Sequence, residues 1–374
     1  MEQNPHPAVI DEEQAELAFQ LLFDWYANAL QALVDAAGNE KATELLRPYF
    51  KNASIASIYI LNETFGLGAG DSNALNFFHV VIFNFMARVP TMEISVYEKG
   101  DIAKVSNCPF KQGPIVHCAL FCNEGPNMQA ETLGIVSTTR LVSSLSQGDS
   151  ECRWITRFGR NKESEYREDL GVEIANVLNW QFPKEMVDSF CIQYYAEFWV
   201  IATRALIDHI GELQATFVLK PYMKHRGISF GLKGSSTFIN ADSNLTRISS
   251  MVDHCGRALQ MKGVSSNSDT VLDERTIVEC PFKDAPIQVC QQFEAFFNGI
   301  CEAIDPSYEF VYDRMMTKGD KTCHWTIRKK LESQNELPSD DPINALAMRL
   351  AKGEISLEEF ENSIVALRKH GAIK

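Results

Sequence analysis

A chain of 374 residues, 45% apolar and 22% charged, has the balance of a folded protein of two to three domains, not of a disordered one. Its net charge of −14 repels nucleic acid over most of the surface, and the basic clusters Arg328-Lys329-Lys330 and Arg368-Lys369-His370 are short enough to be solvated element ends. Apolar runs such as Phe77 to Val89 are broken by His79, Asn84 and Arg88, so no membrane span is expected.

The opening residues Met1-Glu2-Gln3-Asn4-Pro5 lack the basic-then-apolar pattern of a secretory signal, and a cytoplasmic address is expected. The ten cysteines include no CxxC pair, which argues against zinc ribbons and thioredoxin-type motifs and fits reduced thiols.

Residues 12–37 carry apolar positions at helical spacing (Leu17, Leu21, Leu22, Trp25, Ala29, Leu33) behind acidic residues suited to a helix start. Pro48 and Pro221 mark helix–helix boundaries, and Asp71 and Asp242 read as N-caps of helices 72–88 and 243–260. Phe65-Gly66-Leu67-Gly68-Ala69-Gly70 reads as a flexible turn, since no strand of the right kind precedes it to make a phosphate loop. The period then changes to two: Met92, Ile94 and Val96 alternate, and Ile102 and Val105 continue the pattern after a slip. Pro114 and Pro286 open another helix, whose stripe in the second instance is Ile287, Cys290, Phe293, Phe297, Ile300 and Ile304. Two strands joined through a Gly-Asp turn follow.

That description fits two stretches of the chain, because the sequence repeats itself. Leu33-Val34-Asp35 with Gly38 matches Leu206-Ile207-Asp208 with Gly211, and Leu46-Arg47-Pro48-Tyr49 matches Leu219-Lys220-Pro221-Tyr222. Asn107-Cys108-Pro109-Phe110-Lys111 matches Glu279-Cys280-Pro281-Phe282-Lys283, and Cys118 matches Cys290. Gly148-Asp149, Cys152 and Trp154 match Gly319-Asp320, Cys323 and Trp325. An ordered set of matches at nearly constant offset implies a tandem duplication: one α+β domain with an antiparallel sheet over residues 12–160, and its copy over 185–330. After a polar linker, Asp340-Asp341-Pro342 starts a helix and Ser356 with Glu359 forms a capping box, so residues 341–370 read as a helical hairpin.

The pattern from Glu279-Cys280-Pro281-Phe282 through Cys290, Phe293 and Gly299 to Cys323-His324-Trp325 resembles the L-2-amino-thiazoline-4-carboxylate hydrolase-like family. It is also similar to the 4-vinyl-reductase-type small-molecule-binding domain used as a sensor. Residues 341–370 resemble the SHOCT module, a C-terminal hairpin thought to act in oligomerisation. The resemblance implies a small-molecule-binding protein whose chemistry, if catalytic, opens a small heterocycle or attacks a related C–N bond in the second repeat. Asp313 would be its base or metal ligand, and Cys290 and Cys323 its ligands or nucleophile. The alternative it implies is a non-catalytic sensor or oligomeric scaffold. In either case it implies a small-molecule ligand and a homo-oligomer through the hairpin.

Some sensor members hold zinc with three cysteines and one acidic residue. Here Cys280, Cys290, Asp313 and Cys323 are the candidates, with Met315 or Met316 in place of the middle cysteine. Three readings of the cysteines stand: buried packing, a zinc site, or one nucleophile. Neighbouring strand residues face opposite ways, so Cys323 is not expected to meet His324. Copy one has Val142 where copy two has Asp313, which places any carboxylate chemistry in copy two.

Overall fold

The computed structural model describes residues 12–65, 75–76, 79–80, 92–112, 115–159, 169–177, 183–234, 241–268 and 272–330, with Glu359 and Ser363. The glycine-rich segment after Phe65, the Asp71 cap and, apart from those last two residues, the C-terminal hairpin lie outside them. Among the described residues no helix is long and apolar enough to cross a membrane.

The protein is mixed α and β with two antiparallel sheets. It divides into two compact units, and the division cuts through two long helices. Among the described residues, unit one holds 12–15 and those from 33 to 205, and unit two holds 16–32 and those from 206 to 330. The units therefore differ from the contiguous ranges 12–160 and 185–330: each takes in most of the helix that opens the other range.

In unit one, α2 (Asn39–Phe65) is followed by strands β1 (Met92–Tyr97) and β2 (Gly100–Val105). A helical run, here α3, consists of Ile115–His117, a π-helical stretch Cys118–Glu124, and Gly125–Thr132. Strands β3 (Ser137–Ser143), β4 (Cys152–Phe158) and β5 (Glu173–Val177) complete the sheet in the order β3-β4-β2-β1-β5. The helix α4 (Lys184–Ile210) gives its first residues to this unit, where Phe198 stacks on Phe50 at 4.8 Å.

In unit two, α1 (Glu12–Ala37) contributes the fully buried Trp25, edge-on to Phe293 and Phe296 at 5.3 and 5.2 Å. The unit continues with α5 (Glu212–Gly234), α6 (Asn244–Ala258), β6 (Lys262–Ser268), β7 (Leu272–Glu279), α7 (Ile287–Ile304), β8 (Tyr308–Arg314) and β9 (Cys323–Lys329). Its strand order is β6-β7-β9-β8. Read from β1, the first sheet runs β1-β2-β4-β3, the same order with corresponding strands.

Three expectations need correction. Pro48 and Pro221 lie inside α2 and α5, not at helix boundaries. The boundaries are Gly38 and Gly211, which take positive φ (77° and 85°) and each donate to the carbonyl four residues back, an end that glycine adopts without Cβ strain. Ser243, not Asp242, caps α6: its hydroxyl accepts from Thr246 N at 3.1 Å. The stripe expected on α7 is too narrow, because Val289, Gln292, Phe296, Gly299 and Cys301 are buried as well. With α5 and α6 also packed against it and the sheet on another side, α7 is enclosed nearly all round.

Candidate functional site

The matched residues of the two units first serve the fold, and in the same way in each. Cys152 Sγ accepts from Leu145 N at 3.3 Å, and Cys323 Sγ accepts from Met316 N at 3.2 Å. Asp149 accepts from Ser144 N at 2.7 Å, and Asp320 from Met315 N at 2.9 Å. Each pair closes the short 3-10 turn that ends in Gly148 or Gly319 at positive φ, so the Gly-Asp…Cys pattern is a hairpin device. A further matched pair has no sequence signal of its own. Asn127 clamps Thr139 N and O at 2.8 and 2.9 Å, and Asn298 clamps Phe310 N and O at 2.9 and 2.8 Å. Each ties a helix to the start of a strand through both amide groups.

Of the four residues expected to converge in the second repeat, three do. Cys280, Cys290 and Cys323 lie close enough to one another, and to Tyr312, for their charges to interact. Burial pushes the Cys280 thiol up to about 12 and the Cys290 thiol up to about 11, and it raises Cys323 as well. Cys290 Sγ meets the Thr317 hydroxyl at 3.3 Å. Among the described residues no cation or imidazole hydrogen-bonds to these thiols to make one a thiolate, so they pack as protonated, weakly polar groups.

Asp313 stands apart from them. The β8–β9 register shifts between Tyr312 and Arg314, and Asp313 is the extra residue of that bulge. Tyr312 pairs with Trp325 on the cysteine side. The Asp313 carboxylate instead meets His324 Nδ1 and the Thr326 hydroxyl, each at 2.9 Å, on the opposite face, with its side chain 43% exposed. Among the described residues no three His, Cys, Asp or Glu side chains form a group that could hold a metal ion. The set Cys280, Cys290, Asp313 and Cys323 therefore does not fit zinc: its only carboxylate is separated from the sulfurs by the thickness of the sheet.

Unit two has a better-formed binding feature between α6 and the sheet. A cleft of about 270 Å³ is lined by Asp253, Gly256, Arg257, Arg275, Phe297 and Trp325, among others. Arg275 is committed: it bonds Asp253 Oδ2 at 3.1 Å, pairs with the buried Asp273, and lies 5.9 Å above the Trp325 ring. Arg257 is a second cation on the wall, and no carboxylate among the described residues pairs with it. Gly256 has nothing within 4 Å of where a Cβ would lie, so the helix leaves open space there. The result is a cleft edged by Trp325 and Phe297 beside a guanidinium that no described carboxylate pairs with, suited to a small ligand that carries one carboxylate. The sequence signals for it are Trp325, which the repeat singles out, and Arg257, which is one of 35 basic residues and has nothing in its spacing to mark it.

Compared with protein-family models, with curated proteins and with solved structures, the chain matches none.

Proposed function

We propose that this chain is a small-molecule-binding protein built on two copies of one α+β domain, and that the α6–sheet cleft of the second copy takes a small carboxylate ligand. The observation that carries the reading is Arg257, with no carboxylate partner among the described residues, on the wall of a cleft backed by Trp325. The resemblance to the thiazoline-carboxylate hydrolase-like family points to the same class of ligand. Support for the duplication comes from the shared strand order and from three matched devices: the Cys152/Cys323 and Asp149/Asp320 turns and the Asn127/Asn298 clamps.

Binding is favoured over hydrolysis. Trp325 and His324 are neighbours on β9 and face opposite ways, so a ligand against Trp325 does not meet the Asp313–His324 pair. The probe is 2-amino-thiazoline-4-carboxylate. It is expected to raise the melting temperature saturably, by the equivalent of about 2.7 kcal/mol at a hundred times Kd. Arg257→Ala should remove most of that shift, and Gly256→Phe should remove it by filling the cleft. An undiminished shift in both variants, or no shift with the probe or with small aromatic carboxylates, would sink the reading. Ring opening of the probe by wild-type protein, seen as a new thiol where the C–S bond breaks or a new amine where the C–N bond breaks, would instead restore the hydrolytic alternative.

The segment 341–370 belongs to the same proposal as the oligomerising element. Two short helices bury too little surface to be stable alone and must dock on a partner or on one another. A chain ending at Lys330 should keep both main units folded and show a lower mass by light scattering. An unchanged mass from dilute to concentrated solution counts against the assignment.

A further inference from the structure

The thiols of unit one differ from their counterparts, and the difference begins in chain length. From Cys118 to Asn127 is nine residues, whereas the matched Cys290 to Asn298 is eight. Both asparagines clamp the following strand in the same way, so the ends of the two segments are held alike. One extra residue between fixed ends in a helix is accommodated by widening a turn, and the stretch Cys118–Glu124 is π-helical where α7 is a regular α-helix.

Pro126 explains why the wide turn falls there. A proline in a helix clashes with the carbonyl four residues back, here that of Cys122. That carbonyl accepts instead from the Trp154 indole N–H.

The same stretch carries a second thiol. Cys118 and Cys122 lie four residues apart on one side of the helix, and the Ser144 and Ser146 hydroxyls, bonded to each other at 2.8 Å, lie beside Cys118. The neighbouring Cys122 thiol first, then the two serines, outweigh burial and bring the Cys118 thiol down to about 6. Its partner is driven the opposite way, well above the ordinary thiol value, because it holds the shared proton. In unit two the residue four after Cys290 is Glu294, so no second sulfur is available there.

Cys118 edges open space, with 6% of its surface exposed. It lines a cleft of about 380 Å³ together with Asn39, Glu40, Ile115, Asn123 and Val142. The charge on that wall is the carboxylate of Glu40, which disfavours polyanions.

We infer that Cys118 and Cys122 are a reactive dithiol, nucleophile and resolving thiol respectively, which exchanges with neutral or cationic low-molecular-weight disulfides entering the unit-one cleft. The Cys118 thiolate attacks one sulfur of the small disulfide RSSR, forming the mixed disulfide and expelling RS⁻. Cys122 then gives up its proton to that thiolate and attacks the Cys118 sulfur, expelling the second RS⁻. The products are the Cys118–Cys122 disulfide, one RSH and one RS⁻, so two electrons pass from the protein to RSSR. Two thiols about one helical turn apart can reach the disulfide length of about 2 Å by side-chain rotation.

The experiment uses the full chain and cystamine. Peptide mapping of wild-type protein should find Cys118 joined to Cys122 with no cystamine adduct retained. Cys122→Ser should hold a stable adduct on Cys118. An adduct retained on the wild-type chain, or oxidation confined to other cysteines, overturns the inference. A second measurement needs no variant: competitive alkylation of wild-type protein by iodoacetamide at pH 7. Cys118 should label about a hundredfold faster than Cys290, its larger thiolate fraction being partly offset by the lower intrinsic nucleophilicity of a more acidic thiol. Equal rates overturn it.

Discussion

Gly227→Ala is expected to destabilise unit two by about 3 kcal/mol or more, the upper range for overpacking, although alanine is the better helix former. Gly227 on α5 and Gly299 on α7 face each other where the two helices touch. A Cβ on Gly227 would run into the Phe296 carbonyl oxygen and come within 3.1 Å of Gly299 Cα. A Cβ on Gly299 would meet the Lys224 carbonyl oxygen and lie 2.8 Å from Ile228 N. The obstacles are backbone atoms, which cannot rotate away, so relief requires the helices to separate and gives up packing along their length. Gly256→Ala is the control: it is also helical but has open space around it, and it should be neutral or stabilising by up to about 1 kcal/mol. Denaturant midpoints of the two variants check the pair. Similar midpoints would show that the α5–α7 approach is less tight than described.

Gly299 is visible in the sequence as one member of a motif, but its purpose is not. Periodicity identifies a face, and α1 is legible over its whole length because Leu21, Trp25, Ala29 and Leu33 lie on one face. Periodicity cannot say which unit that face is buried in. Sequence order assigns each leading helix to the repeat it precedes, whereas Trp25 packs on Phe293 in unit two and Phe198 on Phe50 in unit one.

The candidate site is half legible for a related reason. Strand parity groups Cys323, Trp325 and Ile327 on one side of β9, and their burial agrees. A bulge breaks parity by one residue, and the β8 bulge carries Asp313 to the side of His324. The π-helical turn has a sequence signature as well: a one-residue difference in spacing between matched anchors, with a proline beside it. A small drift in offset reads as an indel in a loop until the asparagine clamps show that the far end of the segment is fixed alike in both units.

The same comparison of units carries the last prediction, which concerns buried charge. Val105 pairs with Cys152 and Ile277 with Cys323, so counting back four residues along β2 and β7 sets Asp101 against Asp273. Both are 0% exposed. Asp273 is held by Arg275 and the Ser249 hydroxyl. The position matching Arg275 is Ala103, and neither carboxylate oxygen of Asp101 makes a well-formed hydrogen bond to a described residue. Burial pushes the Asp101 carboxyl up to about 7, and the Thr156 hydroxyl, itself bonded to Thr139, offsets only part of that. An acid whose pKa rises on folding favours the native state while it is protonated. Its contribution is fully present below the unfolded value of about 4 and is lost as pH climbs to about 7.

Asp101→Asn should therefore match wild type near pH 4 and gain on it steadily to pH 7, by about 3–4 kcal/mol at the limit, with no further change above. The difference between the two proteins is the quantity to plot. Buried His79, held down to about 4, and His117, held down to about 3, stay neutral in the fold and lower the stability of both proteins in acid alike. In unit two, Arg275→Ala strands Asp273 without its cation and should cost about 3–5 kcal/mol. A stability difference between wild type and the Asp101→Asn variant that stays flat from about pH 4 to about pH 8 would mean that Asp101 is solvated or paired in solution, and the contrast between the two units would fail with it.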